Sequence, residues 1–123
     1  MSKEIIGDNP LGLPFSPAVS VGGFVFLSGQ MAFGSDNKLV EGDIIVQTKQ
    51  TLDNIKSLLA DIDLGMDAIV KNTIWLTNVE DFPAFNKTYA AYFSENPPAR
   101  ATVRSDLLLP GALIEIEALA FRG

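Results

Sequence analysis

The chain has 123 residues, of which 47% are hydrophobic and 20% are charged, so it can bury a core and lacks the polar composition of a disordered protein. It contains neither cysteine nor histidine, which excludes disulfides, thiolate or histidine-dependent nucleophiles and the commonest metal ligands. The net charge of −6 argues against a nucleic-acid partner, because phosphate binding depends on lysine and arginine.

The sequence shows no sign of division, targeting or membrane insertion. No repeat, low-complexity tract or charge block separates one part from another, so we expect one domain over residues 1–123. Residues 1–11 lack the apolar stretch of a signal peptide. No segment approaches the roughly 20 apolar residues of a membrane span. We therefore expect a cytoplasmic protein without a membrane partner.

The N-terminal third predicts an extended arm followed by strands. Residues 9–17 carry three prolines and predict a turn-rich arm. Residues 19–28 follow, with Gly22-Gly23 as a turn and residues 24–27 as a buried strand. The small and polar residues 28–30 then end the strand pattern.

Two amphipathic helices are expected next. After Asp43, a suitable N-cap, apolar residues recur at steps of three and four, and Gly65 lies just past a plausible end. The expected buried stripe is Ile45, Thr48, Leu52, Ile55, Leu59 and Ile62. A second helix is predicted to begin around residues 81–83, where an early proline is tolerated, and to end at the prolines of residues 96–98. Its expected stripe is Phe82, Phe85, Tyr89 and Tyr92 or Phe93.

The remaining segments complete the fold class. Residues 69–77, 99–104 and 113–121 are predicted strands, and the last two are joined by a loop that contains Pro110-Gly111. This order of elements predicts an α+β sandwich with both helices on one face of a mixed sheet. Because no helix is left to cover the other face, we expect an oligomer to cover it.

Charged side chains alternate along the last two predicted strands. Arg100 and Arg104 share one face of their strand. Glu115 and Glu117 share one face of the next. If these strands form an antiparallel hairpin with matched apolar faces, an arginine meets a glutamate about 5 Å away on the uncovered face. Two interpretations are open: a structural ion pair, or a fork in which arginine binds a carboxylate and glutamate positions or deprotonates water.

Other candidate sites are weaker. The segment Ser28-Gly29-Gln30 can offer backbone donors to an anion, but a strand-ending turn is the simpler interpretation. Asn86 is more simply a solvated helix residue, and Trp75 a core or interface residue. The glycines lack phosphate-loop spacing and the aspartates lack calcium-loop spacing, so we assign no nucleotide or metal site.

Several segments resemble the reactive intermediate deaminase family, also called RidA, YjgF or L-PSP. The resemblance covers essentially the whole chain and preserves the order of the motifs, including residues 50–55 of the first helix. The motifs are Leu13-Pro14-Phe15-Ser16-Pro17-Ala18-Val19, Leu27-Ser28-Gly29-Gln30, Pro98-Ala99-Arg100-Ala101-Thr102-Val103, and Leu109-Pro110 followed by Ile114-Glu115-Ile116-Glu117-Ala118.

The resemblance implies a fold and an activity. The fold is a chorismate-mutase-like sandwich of the bacillus type, with a mixed six-stranded sheet, assembled as a homotrimer with pockets at the subunit interfaces. The activity is cofactor-free hydrolysis of 2-imino or 2-enamino acids to 2-keto acids and ammonia. The alternative is a non-catalytic protein of the same fold that binds small carboxylates such as keto acids. Two other activities have less support. Chorismate mutase activity is suggested by the shape of the fold alone, and RNA cleavage disagrees with the net negative charge and the absence of histidine.

The resemblance also implies site residues. Arg100 matches the arginine that clamps the substrate carboxylate, and Glu115 matches the glutamate associated with the hydrolytic water. Ser28, Gly29 and Asn86 match pocket-forming positions. No metal and no cofactor is implied.

Three further positions bear on the substrate. Thr102 falls where many relatives carry cysteine. Phe15 and Pro17 replace the tyrosine and glutamine of the common Gly-Pro-Tyr-Ser-Gln-Ala form, so a ligand-facing hydroxyl is absent. The loop over residues 93–100 is shorter than in the best-known members. These differences leave the arginine chemistry intact and point to altered selectivity.

Overall fold

Six strands and two α-helices form two layers. The computed structural model describes residues 2–123. The strands are β1 (Glu4–Ile6), β2 (Ala18–Val21), β3 (Phe24–Leu27), β4 (Ile69–Leu76), β5 (Ala99–Arg104) and β6 (Ile114–Phe121), and the helices are α1 (Ile44–Ala60) and α2 (Phe82–Ala90). The expected α+β architecture with a mixed six-stranded sheet is confirmed.

The sheet order is β1-β2-β3-β6-β4-β5. Strands β4 and β5 are parallel, and the other neighbours are antiparallel. A parallel pair of neighbours needs a crossover connection, which α2 supplies between β4 and β5. The last strand, β6, is therefore inserted between β3 and β4, in the middle of the sheet.

The expected hairpin between the last two strands is wrong. Strand β4 lies between them and pairs Asn72 with Arg100 on one side and with Ala118 on the other. Residues 105–113 carry the chain past β4 to its far side. The faces of β5 are therefore set by its register with β4, and β6 does not contact β5 as a partner.

The turn between β2 and β3 follows the expectation from Gly22-Gly23. Val21 pairs with Phe24, so two residues form the whole loop. Both glycines have positive φ, 59° and 84°. This conformation is required by the tightest hairpin turn and is strained for most other residues.

Helix α1 begins where expected but buries a slightly different stripe. The Asp43 carboxylate caps it by accepting a hydrogen bond of 3.1 Å from the Val46 amide. Ile45 is 39% exposed whereas Ile44 is 4% exposed, so the stripe was placed one residue too late at its start. Both positions border the apolar stripe of a 3.6-residue helix, and packing against the sheet selects Ile44. The chain leaves the helix before Gly65, through a turn after Ala60.

Helix α2 also begins as expected, with a proline in its first turn, but it ends at Ala90, before the predicted stop. Strand β1 was not predicted, because it has only three residues and buries only Ile6. Within residues 2–123, neither helix has the length and apolar composition that a membrane crossing requires.

The core lies between the sheet and both helices. Side chains from α1 and α2 pack on alternate residues of β3, β4 and β6. The fully buried large residues of this core include Leu52, Ile55, Leu59, Phe85, Val25, Ile74, Ile114 and Ile116. Both helices thus cover the same face, as expected.

The opposite sheet face is uncovered in the single chain and partly apolar. Phe24, Phe26 and Phe121 are 41%, 48% and 44% exposed, and Val103 on β5 is 47% exposed. The rings of Phe24 and Phe121 pack together at 4.9 Å. Exposed apolar patches of this kind mark interaction surfaces in soluble proteins.

Tyr92, in the turn after α2, contacts α1, because its hydroxyl donates a hydrogen bond of 2.8 Å to the Asp53 carboxylate. Burial and the neighbouring Asp53 carboxylate raise the pKa of Tyr92 to about 12, from 10.0. The pKa of Tyr92 is therefore higher in the folded than in the unfolded state. The protonated Tyr92 hydroxyl thus makes its full contribution to the free energy of unfolding below pH 10, and this contribution is lost as the pH rises towards 12. We expect Tyr92→Phe to flatten the fall in melting temperature over that interval, measured by circular dichroism.

Asp53→Asn is the matched control, since it keeps a hydrogen-bond acceptor and removes only the charge. It should flatten the profile less than Tyr92→Phe does. A Tyr92→Phe profile that runs parallel to the wild-type profile would contradict the prediction.

Candidate active site

Arg100 lies at the sheet edge, on the side of α2. Its register partner Asn72 points into the core, so Arg100 also projects towards the helix layer. The guanidinium carbon lies over the rings of Phe82 at 5.8 Å, Phe85 at 5.4 Å and Tyr89 at 5.0 Å. All three distances are within the range of a cation–π contact. Arg100 is exposed, so its planar donors can bind an anion bidentately.

Glu115 lies on the uncovered face of β6. It is opposite Trp75 on β4, which is half-buried on that same face. A groove of about 180 Å³ is lined by Glu115, Trp75 and the loop at residues 105–108. Burial raises the pKa of the Glu115 carboxyl, and the negative charge of Glu117 raises it further. Such a shift makes a carboxylate a stronger base near neutral pH.

Ser28 and Gly29 lie against β6 beside Glu115. A Cβ at Gly29 would collide with the Glu115 carboxylate, so the close approach requires glycine. The Ser28 hydroxyl donates a hydrogen bond of 2.6 Å to the carbonyl of Ser16 in the N-terminal arm. The backbone continues along β6 through paired hydrogen bonds between Gln30 and Ile116. This segment is thus more than a strand-ending turn, because it joins the arm to Glu115.

Phe15 lies in the N-terminal arm and is 55% exposed. The Asn9 amide braces the arm by donating to the carbonyls of Leu13 at 2.6 Å and of Phe15 at 3.1 Å. The Phe15 ring borders a groove of about 250 Å³ whose walls are mainly apolar, including Phe33. The arm therefore presents an aromatic surface without a hydroxyl.

Asn86 and Thr102 lie near Arg100. Asn86 is half-buried on α2, at helical spacing from Phe82 and Tyr89, whose rings contact the guanidinium. Thr102 lies two residues after Arg100 on the same face of β5. Its hydroxyl is buried and has no hydrogen-bond partner within residues 2–123.

Within one chain, six of the expected site residues fall into two groups, and Phe15 lies in the N-terminal arm. The edge group comprises Arg100, Asn86 and Thr102, and the central group comprises Ser28, Gly29 and Glu115. The expectation that Arg100 meets Glu115 on the uncovered face is wrong within one chain, because their partners on β4 point to opposite faces. Residues 2–123 contain no cluster of acidic side chains arranged to hold a metal ion.

The residues that hold Arg100 were not recognised as functional from the sequence. Phe82, Phe85 and Tyr89 belong to the predicted core stripe of the second helix, and Asn72 lies in the polar run 71–73 of a predicted strand. Asn72 is 0% exposed and donates a hydrogen bond of 2.9 Å to the Tyr89 hydroxyl. The signal that the sequence offers is an asparagine on the same strand face as Ile74 and Leu76, since buried polar groups need specific partners.

The sequence model of the family described as Endoribonuclease L-PSP matches residues 9–122. The chain belongs to the RidA/YjgF/L-PSP family. A RutC family protein of Pyrococcus abyssi is 38% identical over an alignment 127 residues long, gaps included, that covers 99% of each chain. The 3-aminoacrylate deaminase RutC of Acinetobacter baylyi is 38% identical over 124 residues, which cover 98% of each chain. The family thus contains a deaminase that acts on a reactive intermediate.

The fold is that of a solved family member. The structure of YyfA from Yersinia pestis, described as a protein of unknown function of the conserved Rid family, has a TM-score of 0.90 and 39% identity. The match covers 98% of this chain and 99% of that chain. The family and fold expected from the sequence motifs are confirmed.

Glu117 acts on Glu115 through its charge, which gives a direct test of the electrostatics of the central group. We expect Glu117→Gln to lower the pKa of the Glu115 carboxyl, because one of the two causes of its rise is removed. The value should stay above the ordinary one, since burial remains. The measurement is a carbon-13 NMR titration of the glutamate carboxyls.

Glu95→Gln, an exposed residue in the loop after α2, is the control and should leave the Glu115 titration unchanged. An identical Glu115 titration in Glu117→Gln and wild type would show that the two carboxylates do not interact.

Proposed function

We propose that this protein hydrolyses small reactive 2-imino or 2-enamino acids to 2-keto acids and ammonia without a cofactor, as a 2-iminobutanoate/2-iminopropanoate deaminase. The observation that carries the proposal is the Arg100 guanidinium, which is exposed yet held over three aromatic rings. A fixed guanidinium with available donors suits a carboxylate. The RutC relative supports the reaction class, because it deaminates an enamine acid, 3-aminoacrylate.

In the proposed mechanism, Arg100 binds the substrate carboxylate and holds the adjacent C=N carbon beside a water molecule. Fixing both reactants removes much of the entropic barrier. Glu115 orients the water and accepts one of its protons as oxygen bonds to the carbon and the C=N π electrons move to nitrogen; passing that proton to nitrogen gives a carbinolamine. Glu115 then accepts the hydroxyl proton and delivers it to nitrogen as the C=O bond forms and the C–N bond breaks, so the sum is imine plus water to keto acid plus ammonia. An enamine substrate first tautomerises to the imine.

The proposal includes a homotrimer, because one chain keeps the edge group and the central group on different sheet faces. In a ring of three, the edge group of one protomer faces the central group of the next. Such an interface joins two different surfaces and closes by rotation. It would also cover the aromatic residues of the open sheet face, Phe24, Phe26 and Phe121.

The first test is ammonia release from 2-iminobutyrate or iminopropionate generated in the assay by an amino-acid oxidase. The wild type should accelerate release over buffer. Arg100→Ala should lower kcat/KM on the order of 100-fold, because it removes the carboxylate clamp and the positioning that depends on it. Arg104→Ala is the matched control, since it removes an exposed arginine from the same face of the same strand.

Rates for the wild type that equal those of Arg100→Ala and of buffer would reject the deaminase. The alternative is a non-catalytic protein that binds keto acids, and the missing hydroxyl at Phe15 favours it. Calorimetry with 2-ketobutyrate separates the two: binding without turnover indicates the alternative. Absence of binding counts against both.

The second test addresses the shared site. Arg100→Ala and Glu115→Gln protomers, each nearly inactive alone, are mixed, unfolded and refolded together. Random trimers should recover about a quarter of wild-type activity, because one interface in four joins an intact Arg100 to an intact Glu115. Recovery no greater than the sum of the two separate variants would place both residues of each site in one protomer.

A further inference from the structure

Asn72 occupies a position where an apolar side chain would be expected. It lies on the helix-facing side of β4, next to Ala118 on β6 and followed on that face by Ile74, and is 0% exposed. Its amide nitrogen donates to the Tyr89 hydroxyl at 2.9 Å, and its oxygen has no partner within residues 2–123. Burying an amide oxygen without a hydrogen-bond partner opposes folding. The placement therefore needs an explanation other than stability.

Tyr89 is held at both ends of its side chain. Its ring packs between Phe85 at 5.3 Å and Phe93 at 4.6 Å, and its hydroxyl accepts the hydrogen bond from Asn72. The residue is 5% exposed. Of the three rings near the Arg100 guanidinium, that of Tyr89 is nearest, with 5.0 Å to its centroid. The position of this ring therefore sets the surface on which the cation rests.

Asn72 and Arg100 are also direct partners in the ladder between β4 and β5. The backbone pairing at Asn72 sets the strand position from which Arg100 projects, and the Asn72 side chain holds the Tyr89 ring that the guanidinium contacts. Each of the three residues therefore contacts the other two: Asn72 pairs with Arg100 in the ladder and bonds to Tyr89, and the Tyr89 ring contacts the guanidinium. Phe82 and Phe85 add surface to the stack, but neither carries a polar group that a neighbour can hold.

We infer that Asn72 and Tyr89 are a positioning pair for Arg100, which hold its guanidinium in the orientation that binds the substrate carboxylate. This inference rests on the proposed function for the identity of the ligand. The mechanical part concerns the protein alone: the hydrogen bond orients the ring, and the ring restricts the guanidinium. A clamp held in place before binding loses less conformational freedom when the carboxylate arrives.

The experiment compares Tyr89→Phe and Asn72→Leu with the wild type. Tyr89→Phe keeps the ring and its packing, so it serves as the variant that retains the fold. Selective nitrogen-15 labelling of the three arginines, with Arg100→Lys to assign the signal, gives the order parameter of the Arg100 Nε–Hε bond. We expect it to fall in both variants, because the ring is no longer oriented at its hydroxyl end.

A second readout is the affinity for 2-ketobutyrate by calorimetry. Each variant should bind about fivefold more weakly, the equivalent of one ordinary hydrogen bond. The affinity of the double variant for 2-ketobutyrate should be no lower than that of the single variant with the lower affinity, because both changes remove the same interaction. Thr48→Val is the matched control: Thr48 is also 0% exposed and its hydroxyl has no partner in the described part of the chain, but it lies on α1. It should change neither readout.

Variants that lower only the melting temperature, with the order parameter and affinity unchanged, would show that the pair is merely structural and overturn the inference. A wild type whose 2-ketobutyrate binding is absent or independent of Arg100 would overturn it as well. Ammonia release is measured on the same preparations. If the wild type releases none while both variants lose order and affinity, the deaminase fails and the positioning pair stands.

Discussion

The alternation of side chains along β4 is the constraint on which the rest of the site depends. Strand β4 pairs with β5 on one side and with β6 on the other, and its residues point in turn to the helices and to the open face. Asn72 and Trp75 are an odd number of residues apart, so their partners Arg100 and Glu115 project from opposite faces. A site that uses both residues therefore cannot close within one chain. This is why the proposed chemistry and the proposed assembly are a single proposal.

Each half of the site is held by contacts that reach across the chain. The buried side chain of Gln47 on α1 donates to the Gly111 carbonyl at 3.0 Å and accepts from the Leu113 amide at 2.8 Å, which fixes the entry into β6. Gly29, just after β3, then allows its own backbone to approach the Glu115 carboxylate. Arg100 depends instead on α2, through its aromatic rings. Helix packing thus sets the positions of both charged groups.

Stability and function make different demands on the helix-facing side of the sheet. Most of that side is apolar and close-packed, as stability requires. Asn72 interrupts it, with an amide oxygen that has no partner within residues 2–123, and Arg100 lies at its edge without being buried. Proteins keep polar or charged residues in an otherwise apolar layer where a functional site needs a side chain held in one orientation. Arg100 lies on the edge strand β5, where its charge stays exposed.

The sequence by itself determined the local features: the Asp43 cap, the Gly22-Gly23 turn, the segments that form the helices and longer strands, and, through its motifs, the family. Each depends on neighbours a few residues apart, which a pattern records. Only the tertiary structure decided that β6 enters between β3 and β4, that Arg100 rests on α2, and that Glu115 faces the other way. Periodicity shows which residues share a face of one strand, but not which strand lies beside it. That choice is made by long-range packing.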